Sequence, residues 1–392
     1  MMKRSAIAMV ILLVAAGGAA AGFLDRSSED ARPTVHPDLP ATSNDLRLAR
    51  AQNSPMLAAD PRDPRFVALA VRLDAPDFGC GLQVSGDGGR TFVPTNPVPK
   101  LPPRAEKCYA PEIAFDRDGN LYYLFLGLRG RGNNPMGVFL TKSSDRGVTF
   151  SKPIRLLGPG NYQVRMAIDT SMGANRRIHL VWLKTTGDAP TGGLPPPPNP
   201  IVTAYSDDGG RTLSEPVEIT ERDRPYSVAP SVALGSDHSV HVVYYDLEDD
   251  ARDYQGLEGP TWAGAWSLVA TSSFDGGETF EPVVTIDDDL VPPERVLLIY
   301  TMPPPTVAVS PDGRVHAAWH DARNGDWDVF VSTSTNEGRS WSSPKRINDD
   351  EIGNGKHQYL PRISTAPEGR VDVVFLDRRR DSNNVRNDTF YT

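Results

Sequence analysis

The sequence predicts an all-β fold, a six-bladed β-propeller built from four-stranded antiparallel blades. Three observations support this. The 392 residues include 34 Gly and 36 Pro, an eight-residue pattern recurs along the chain, and a pair of apolar segments precedes each copy. Dense Gly and Pro favour many short elements joined by turns. A repeat of roughly 60 residues that holds four strands is typical of a propeller blade.

The recurring pattern has the form S-x-D-x-G-x-T-F. Its copies are SGDGGRTF from Ser85, SSDRGVTF from Ser143, SDDGGRTL from Ser206, SFDGGETF from Ser273 and STNEGRSW from Ser334. Within such a turn the aspartate side chain can accept backbone N–H groups, and glycine tolerates a positive φ. We therefore interpret the third position of each copy as structural, which covers Asp87, Asp145, Asp208, Asp275 and Asn336.

A unit of two strands precedes each copy, as in PEIAFDRDGNLYYLFLG from Pro111 and PTVAVSPDGRVHAAWHD from Pro305. Each unit contains a short apolar strand, a polar turn and a strand rich in β-branched and aromatic residues. A third strand leads into the eight-residue turn, and a fourth follows it, as in FEPVVTI from Phe280. The last blade reaches Thr392 after three strands. Residues 44–50 could supply its fourth strand, or the sequence could be truncated.

The N-terminus predicts export. MMKR is a positively charged start, and an apolar run extends from Ala6 to Leu24 with a small-residue Ala19-x-Ala21 site. This pattern is typical of a signal peptide, and the run is also long enough to be a membrane anchor. We expect a signal or anchor at 1–24, a linker at 25–43 and the propeller at 44–392. The protein would be secreted or otherwise extracytoplasmic.

The two cysteines, Cys80 and Cys108, lie in the exported part. In an oxidising compartment such a pair favours a disulfide, because a metal site needs more ligands. Closing this loop would stabilise the fold by about 3 kcal/mol. The net charge is −9 with no basic stripe, so we expect no nucleic-acid partner.

Residues that recur at one blade position are interpreted as architectural. His179, His241 and His316 share a second-strand position and are interpreted as packing residues. Asp246, Asp321 and Asp377 share the end of that strand, where they would either fix the following loop or act in catalysis. The first-strand position after Pro or Val is chemically varied and therefore favours function. It holds Met56, Glu112, Arg165, Ser231, Thr306 and Arg362.

Strand alternation places the starts of first strands, the ends of second strands and the second-to-third loops on one face of the ring, which we call the mouth. The eight-residue turns lie on the opposite face. The loop at 244–266, YYDLEDDARDYQGLEGPTWAGAW, is long, acidic and aromatic and lies at the mouth. Long loops of this kind are often functional. Its carboxylates could act as acid or base, and its aromatic rings could stack on sugars. It is also a candidate Ca²⁺ site or a solvated loop.

The S-x-D-x-G-x-T-F pattern resembles the Asp-box, or bacterial neuraminidase repeat, of sialidases and other sialidase-like propellers. The resemblance covers the exported chain. It implies a tyrosine nucleophile assisted by an acid, with an arginine cluster that holds the substrate carboxylate. Arg165 in VRMA and Arg362 in PRIS resemble the arginine of the family's RIP motif. The first blade lacks FRIP or YRIP, which leaves the activity open. Candidates for the third arginine are Arg104, Arg252, Arg295 and Arg323, and candidates for the nucleophile are Tyr245, Tyr254, Tyr300 and Tyr359.

We therefore expect a sialidase-like glycoside hydrolase acting on extracellular glycans, with a non-catalytic glycan- or protein-binding propeller as the alternative. The catalytic candidates are Tyr245, Asp246, Tyr254 and Glu258. The substrate-binding candidates are Arg165, Arg362, Arg252, Asp321, Arg323, Asp377, Arg378 and Trp262. We expect no catalytic metal or other cofactor, a structural Ca²⁺ at most, a monomer, and membrane contact only through an N-terminal anchor.

Overall fold

The computed structural model describes residues 52–74, 77–95, 100–171, 176–187, 196–251, 264–291 and 304–392. These residues form six antiparallel sheets, one for each blade. Blades 1 to 3 comprise β1 (Gln52–Asp60), β2 (Asp63–Leu73), β3 (Gly79–Ser85), β4 (Val93–Pro94), β5 (Lys107–Phe115), β6 (Leu121–Arg129), β7 (Asn134–Ser143), β8 (Ile154–Leu157), β9 (Asn161–Ile168), β10 (Ile178–Lys184), β11 (Ile201–Ser206) and β12 (Val217–Glu218). Blades 4 to 6 comprise β13 (Ser227–Leu234), β14 (Val240–Asp246), β15 (Trp266–Ser273), β16 (Val284–Leu290), β17 (Thr306–Val309), β18 (Val315–Asp321), β19 (Asp328–Ser334), β20 (Lys345–Arg346), β21 (Gln358–Thr365), β22 (Val371–Asp377) and β23 (Asp388–Tyr391).

Every sheet is a meander in which consecutive strands pair. Five sheets contain four strands, and the sixth contains three within the described part of the chain. The structure confirms the predicted six-bladed propeller. The proposed strand at 44–50 and the hydrophobic run at 6–24 lie outside the described residues. Within the described residues, no helix is both long and apolar enough to cross a membrane.

The hydrophobic core lies between the blades. One cluster joins blades 1 and 2, a second joins blades 2 and 3, a third spans blades 3 to 5, and a fourth joins blades 5 and 6. Its largest fully buried side chains include Trp182 and Trp319 on second strands. A sheet that packs on both faces buries both sets of alternating side chains, which explains why second strands such as β6, β10, β14 and β18 are buried almost throughout.

The eight-residue turns share one hydrogen-bond pattern. In the first, Ser85 Oγ donates to Asp87 Oδ1 over 2.7 Å, Gly89 N donates to Ser85 Oγ over 2.8 Å, and Thr91 N donates to Asp87 Oδ1 over 2.9 Å. The other four turns repeat these bonds. The bonds from Thr91 and Ser85 hold the pKa of Asp87 at about 2. The side chains of Asp87 and its counterparts are therefore engaged in hydrogen bonds within their own turns.

These turns also join neighbouring blades. Arg177 of blade 3 donates to Gly276 O in the turn of blade 4 over 2.8 Å. Gly277 lies against the His179 ring of blade 3, and Gly338 lies against His241 of blade 4. His179 and His241 therefore pack beneath the turn of the next blade. Cys80 of β3 and Cys108 of β5 form the predicted disulfide, with a Cα–Cα distance of 5.5 Å, and it links blades 1 and 2.

Candidate functional site at the mouth of the propeller

The first strands of the blades, which we call the inner strands, bend where they approach the mouth. Four of them contain a residue other than glycine in the left-handed region, with φ between 46° and 56°: Ala110, Gln163, Ala229 and Leu360. In each strand the pairing register shifts at this point. Such β-bulges change the direction of the side chains that follow, and they are frequent beside functional sites. The residue two positions later belongs to the chemically varied first-strand position.

Three of those residues form an axial cluster: Glu112 of blade 2, Arg165 of blade 3 and Arg362 of blade 6. The Arg165 guanidinium pairs with the Glu112 carboxylate, which is almost fully buried. Arg362 is exposed to water. The protein atoms near its guanidinium limit hydration on the protein side and lower the pKa of Arg362, repulsion from Arg165 acts in the same direction, and Glu112 opposes both. The cluster has two positive charges and one negative charge, so its net charge at neutral pH is +1.

Two bulges are connected by a buried hydrogen bond. Ala229 N donates to Gln163 Oε1 over 2.7 Å, joining the bulge of blade 4 to that of blade 3. Arg165 follows Gln163 by two residues on the same strand. Gln163 therefore holds the backbone that carries one of the axial arginines.

The aspartates that end the second strands are held by arginines and loop amides. Asp246 accepts from Arg224 over 2.8 Å, Asp321 accepts from Arg323 Nε over 2.9 Å, and Asp377 accepts from Arg379 Nε over 2.6 Å. Each also accepts the backbone N–H two residues further along the chain. Burial raises the pKa of Asp321 and Asp377. Arg323 also pairs with Asp287. In this structure these side chains fix the loops that follow them.

Tyr245 lies inside the protein. It is 3% exposed, packs against Trp266 with ring centroids 6.1 Å apart, and has its pKa raised by burial. The start of the long loop is anchored below it, where Trp266 Nε1 donates to Asp250 Oδ2 over 3.3 Å and Ser267 Oγ donates to Glu248 Oε1 over 2.7 Å. The loop therefore begins from a fixed base. The candidates Arg252, Tyr254, Glu258 and Trp262 lie outside the described residues, as do Arg295 and Tyr300.

A group of aromatic rings lies at the mouth between blades 5 and 6. Trp327 stacks on His357 with centroids 4.5 Å apart and meets Tyr359 edge-on at 5.3 Å. Arg378 Nη2 donates to Tyr359 OH over 2.8 Å, and this hydroxyl donates to Asn387 Oδ1 over 2.7 Å. Arg378, which was predicted to bind substrate, therefore donates a hydrogen bond to Tyr359 at this position.

Three features were not predicted from the sequence: the axial role of Glu112, the bulge residue Gln163 and the Trp327–His357 stack. Glu112 had a signal, since it occupies the varied first-strand position. The bulges also had one: proline follows Ala110, Ala229 and Leu360, and proline suits a position without a ladder hydrogen bond. In the described part of the chain, no three His, Cys, Asp or Glu side chains are grouped as a metal ion would require.

Comparison with known proteins supports the fold. The chain matches no protein-family model and no curated protein sequence. Solved structures that match include a protein of unknown function from Dyadobacter fermentans (TM-score 0.56, 16% identity, 87% of this chain and 93% of that one). An α-L-arabinofuranosidase of Fusarium graminearum, in complex with arabinobiose, matches with a TM-score of 0.55, 14% identity and coverage of 87% and 92%. The NanB sialidase of Streptococcus pneumoniae matches with a TM-score of 0.52, 12% identity and coverage of 88% and 68%. The structural neighbours thus include propeller glycoside hydrolases, and the likeness shows a shared fold.

Proposed function

We propose that this protein is an exported glycoside hydrolase of the sialidase-like type, which binds a carboxylate-bearing sugar at the mouth of the propeller. The observation that carries the proposal is the axial cluster, in which Arg165 and Arg362 approach from blades three positions apart in the ring. Planar guanidinium groups suit a carboxylate because they can donate two parallel hydrogen bonds. The glycan activity of the structural neighbours supports a glycan substrate.

Each residue of the site has its own role in this proposal. Arg362 is exposed and faces the ligand, while Arg165 contributes charge and is oriented by Glu112. The nucleophile and the acid come from the long loop, with Tyr254 and Glu258 as the candidates. A sugar with a carboxylate at its anomeric carbon repels a carboxylate nucleophile, which favours a neutral tyrosine in that role. Tyr245 and Asp246 support the base of this loop.

The test is turnover of a panel of aryl glycosides that includes a sialoside, a uronide and an arabinofuranoside. We expect at least one of the two acidic glycosides to be hydrolysed. Glu258→Gln and Tyr254→Phe should abolish turnover while the thermal unfolding midpoint is retained. Turnover of the arabinofuranoside alone would contradict the acidic-substrate proposal.

A binding propeller without catalysis is the second candidate. It is favoured by the aspartates Asp246, Asp321 and Asp377, each of which is already engaged by an arginine and a loop amide. This candidate predicts that acidic sugars bind, that Arg362→Met weakens binding, and that none of the aryl glycosides is cleaved.

A further inference from the structure

The aromatic group between blades 5 and 6 has a composition and a position of its own. Trp327 ends the second-to-third loop of blade 5, and His357 and Tyr359 lie at the start of the innermost strand of blade 6. All three residues are partly buried, so each retains surface that water can reach. The group therefore presents an accessible aromatic surface on the same face as the axial arginines.

Several hydrogen bonds hold this surface in place. Gln358 N donates to Trp327 O over 2.7 Å, and Trp327 N donates to His357 Nδ1 over 3.3 Å. On the other side, Arg378 Nη1 donates to Asn384 O over 3.0 Å, while His357 N donates to Asn384 Oδ1 over 3.3 Å. A surface that is ordered before binding loses less conformational entropy when a ligand arrives.

Its polar groups lie beside the rings. The guanidinium of Arg378 lies 5.0 Å from the centre of the Tyr359 ring, and the Tyr359 hydroxyl is bonded to both Arg378 and Asn387. A sugar ring has an apolar face of C–H groups and a rim of hydroxyls. Aromatic rings with adjacent polar groups match both parts of such a ligand.

We propose that Trp327, His357, Tyr359 and Arg378 form a subsite for a neutral sugar ring, next to the position where the axial arginines bind the acidic sugar. This rests on the proposed function. Tyr359 and Arg362 are three residues apart on β21, so their Cα atoms are separated by at most about 10 Å. Two linked sugar rings can span this distance. The preferred ligand is therefore an acidic terminal sugar linked to a neutral one.

The experiment is a calorimetric titration of the purified protein. It gives the ratio of the affinity for a longer probe to the affinity for the corresponding acidic monosaccharide. The probes are N-acetylneuraminic acid and sialyllactose, repeated with glucuronic acid and a disaccharide that has glucuronic acid at its terminus. We expect the longer probe of the relevant pair to bind about tenfold more tightly, equivalent to about 1.4 kcal/mol. Trp327→Ala should reduce this ratio to near 1. Trp341→Ala is the matched control, because Trp341 belongs to the fifth eight-residue turn on the opposite face, and it should keep the ratio.

Arg378→Met gives a second variant should Trp327→Ala fail to fold, and it should lower the same ratio at least about threefold. If the longer probe binds no more tightly than the monosaccharide, or if both Trp327→Ala and Arg378→Met keep the affinity ratio, the subsite is wrong and the proposed function stands. Failure of every acidic probe to bind the unmodified protein overturns the proposed function and the subsite together.

Discussion

Arg362 of blade 6 lies close enough to Arg165 of blade 3 for the charge of Arg165 to lower its pKa. The two residues occupy the same position on inner strands from opposite parts of the ring. Glu112 is the neighbouring carboxylate that balances one of these charges. The axial cluster therefore has a net formal charge of +1, and an anion can offset this positive potential.

Glu112→Gln tests this charge balance through stability. Removing a buried carboxylate leaves Arg165 and Arg362 in mutual repulsion, so we expect the free energy of unfolding to fall by about 1–3 kcal/mol. Sulfate should restore more stability to this variant than to the unmodified protein. Chemical unfolding with and without sulfate measures both effects. Glu368→Gln is the control, because the Glu368–Arg370 pair is half exposed and such pairs contribute little. Equal losses in the two variants would argue against the axial potential.

Gln163 and Gln83 should respond in opposite ways to replacement by leucine. Gln163→Leu removes the acceptor of the buried Ala229 N–H and should cost about 1–3 kcal/mol of unfolding free energy. Gln83 is fully buried, and neither atom of its amide has a hydrogen-bond partner among the described residues. Gln83→Leu removes this desolvated amide and should leave stability unchanged or raised. Denaturant titration of both variants checks the contrast, and a loss in Gln83→Leu as large as that in Gln163→Leu would contradict it.

The fourth eight-residue turn should tolerate no side chain at its second glycine. Gly277 has a φ of 90°, and a Cβ there would lie 3.2 Å from the His179 ring. Gly277→Ala should therefore lower the free energy of unfolding by about 1–3 kcal/mol. Gly86 in the first turn has no atom near its Cβ position, and its φ is not in the left-handed region. We expect Gly86→Ala to be neutral. Thermal unfolding of both proteins measures this contrast, and equal midpoints for the two variants would contradict it.

Much of the fold could be predicted because each blade repeats the same local chemistry. The turns after β3, β7, β11, β15 and β19 carry their own hydrogen-bond acceptors, and the alternation of strands assigns each loop to a face. The fourth strands were harder to place. FEPVVTI was expected to pair from Phe280, whereas β16 begins at Val284, because the aromatic residue belongs to the turn and packs against the core.

The site was predicted less completely, since it depends on contacts between blades. The shared strand position selected Arg165 and Arg362, but the burial of Tyr245 depends on Trp266 and its neighbours. The aromatic group also combines residues from two blades, which no local pattern could bring together. Left-handed residues such as Gln163 follow from the bulge geometry of the inner strands and have no strong preference of their own for that conformation.

The buried histidines predict that stability declines on mild acidification. Burial lowers the pKa of His179, His241 and His320 to about 4, from a usual value near 6.5. Between these pH values the unfolded chain binds protons that the folded protein excludes. Their contribution is therefore complete above about pH 6.5 and is lost as the pH falls toward 4. Each histidine should contribute on the order of 2–3 kcal/mol to this loss.

Unfolding free energies measured between pH 7 and pH 4 check this dependence. His241→Asn should have a shallower pH profile than the unmodified protein, even if it is less stable at pH 7. A variant profile parallel to that of the unmodified protein would show that the pKa of His241 is the same in the folded and unfolded states.

The most direct test of acidic-sugar binding at the axial cluster is a calorimetric titration of the purified protein with N-acetylneuraminic acid, glucuronic acid and the neutral sugar glucose. It is repeated with Arg362→Met and with Arg339→Met as a control on the opposite face. At least one acidic sugar is expected to bind, glucose to bind more weakly than that sugar, and only Arg362→Met to weaken acidic-sugar binding, by about 10- to 100-fold. Equal binding of acidic and neutral sugars, or binding that survives Arg362→Met unchanged, would contradict this expectation.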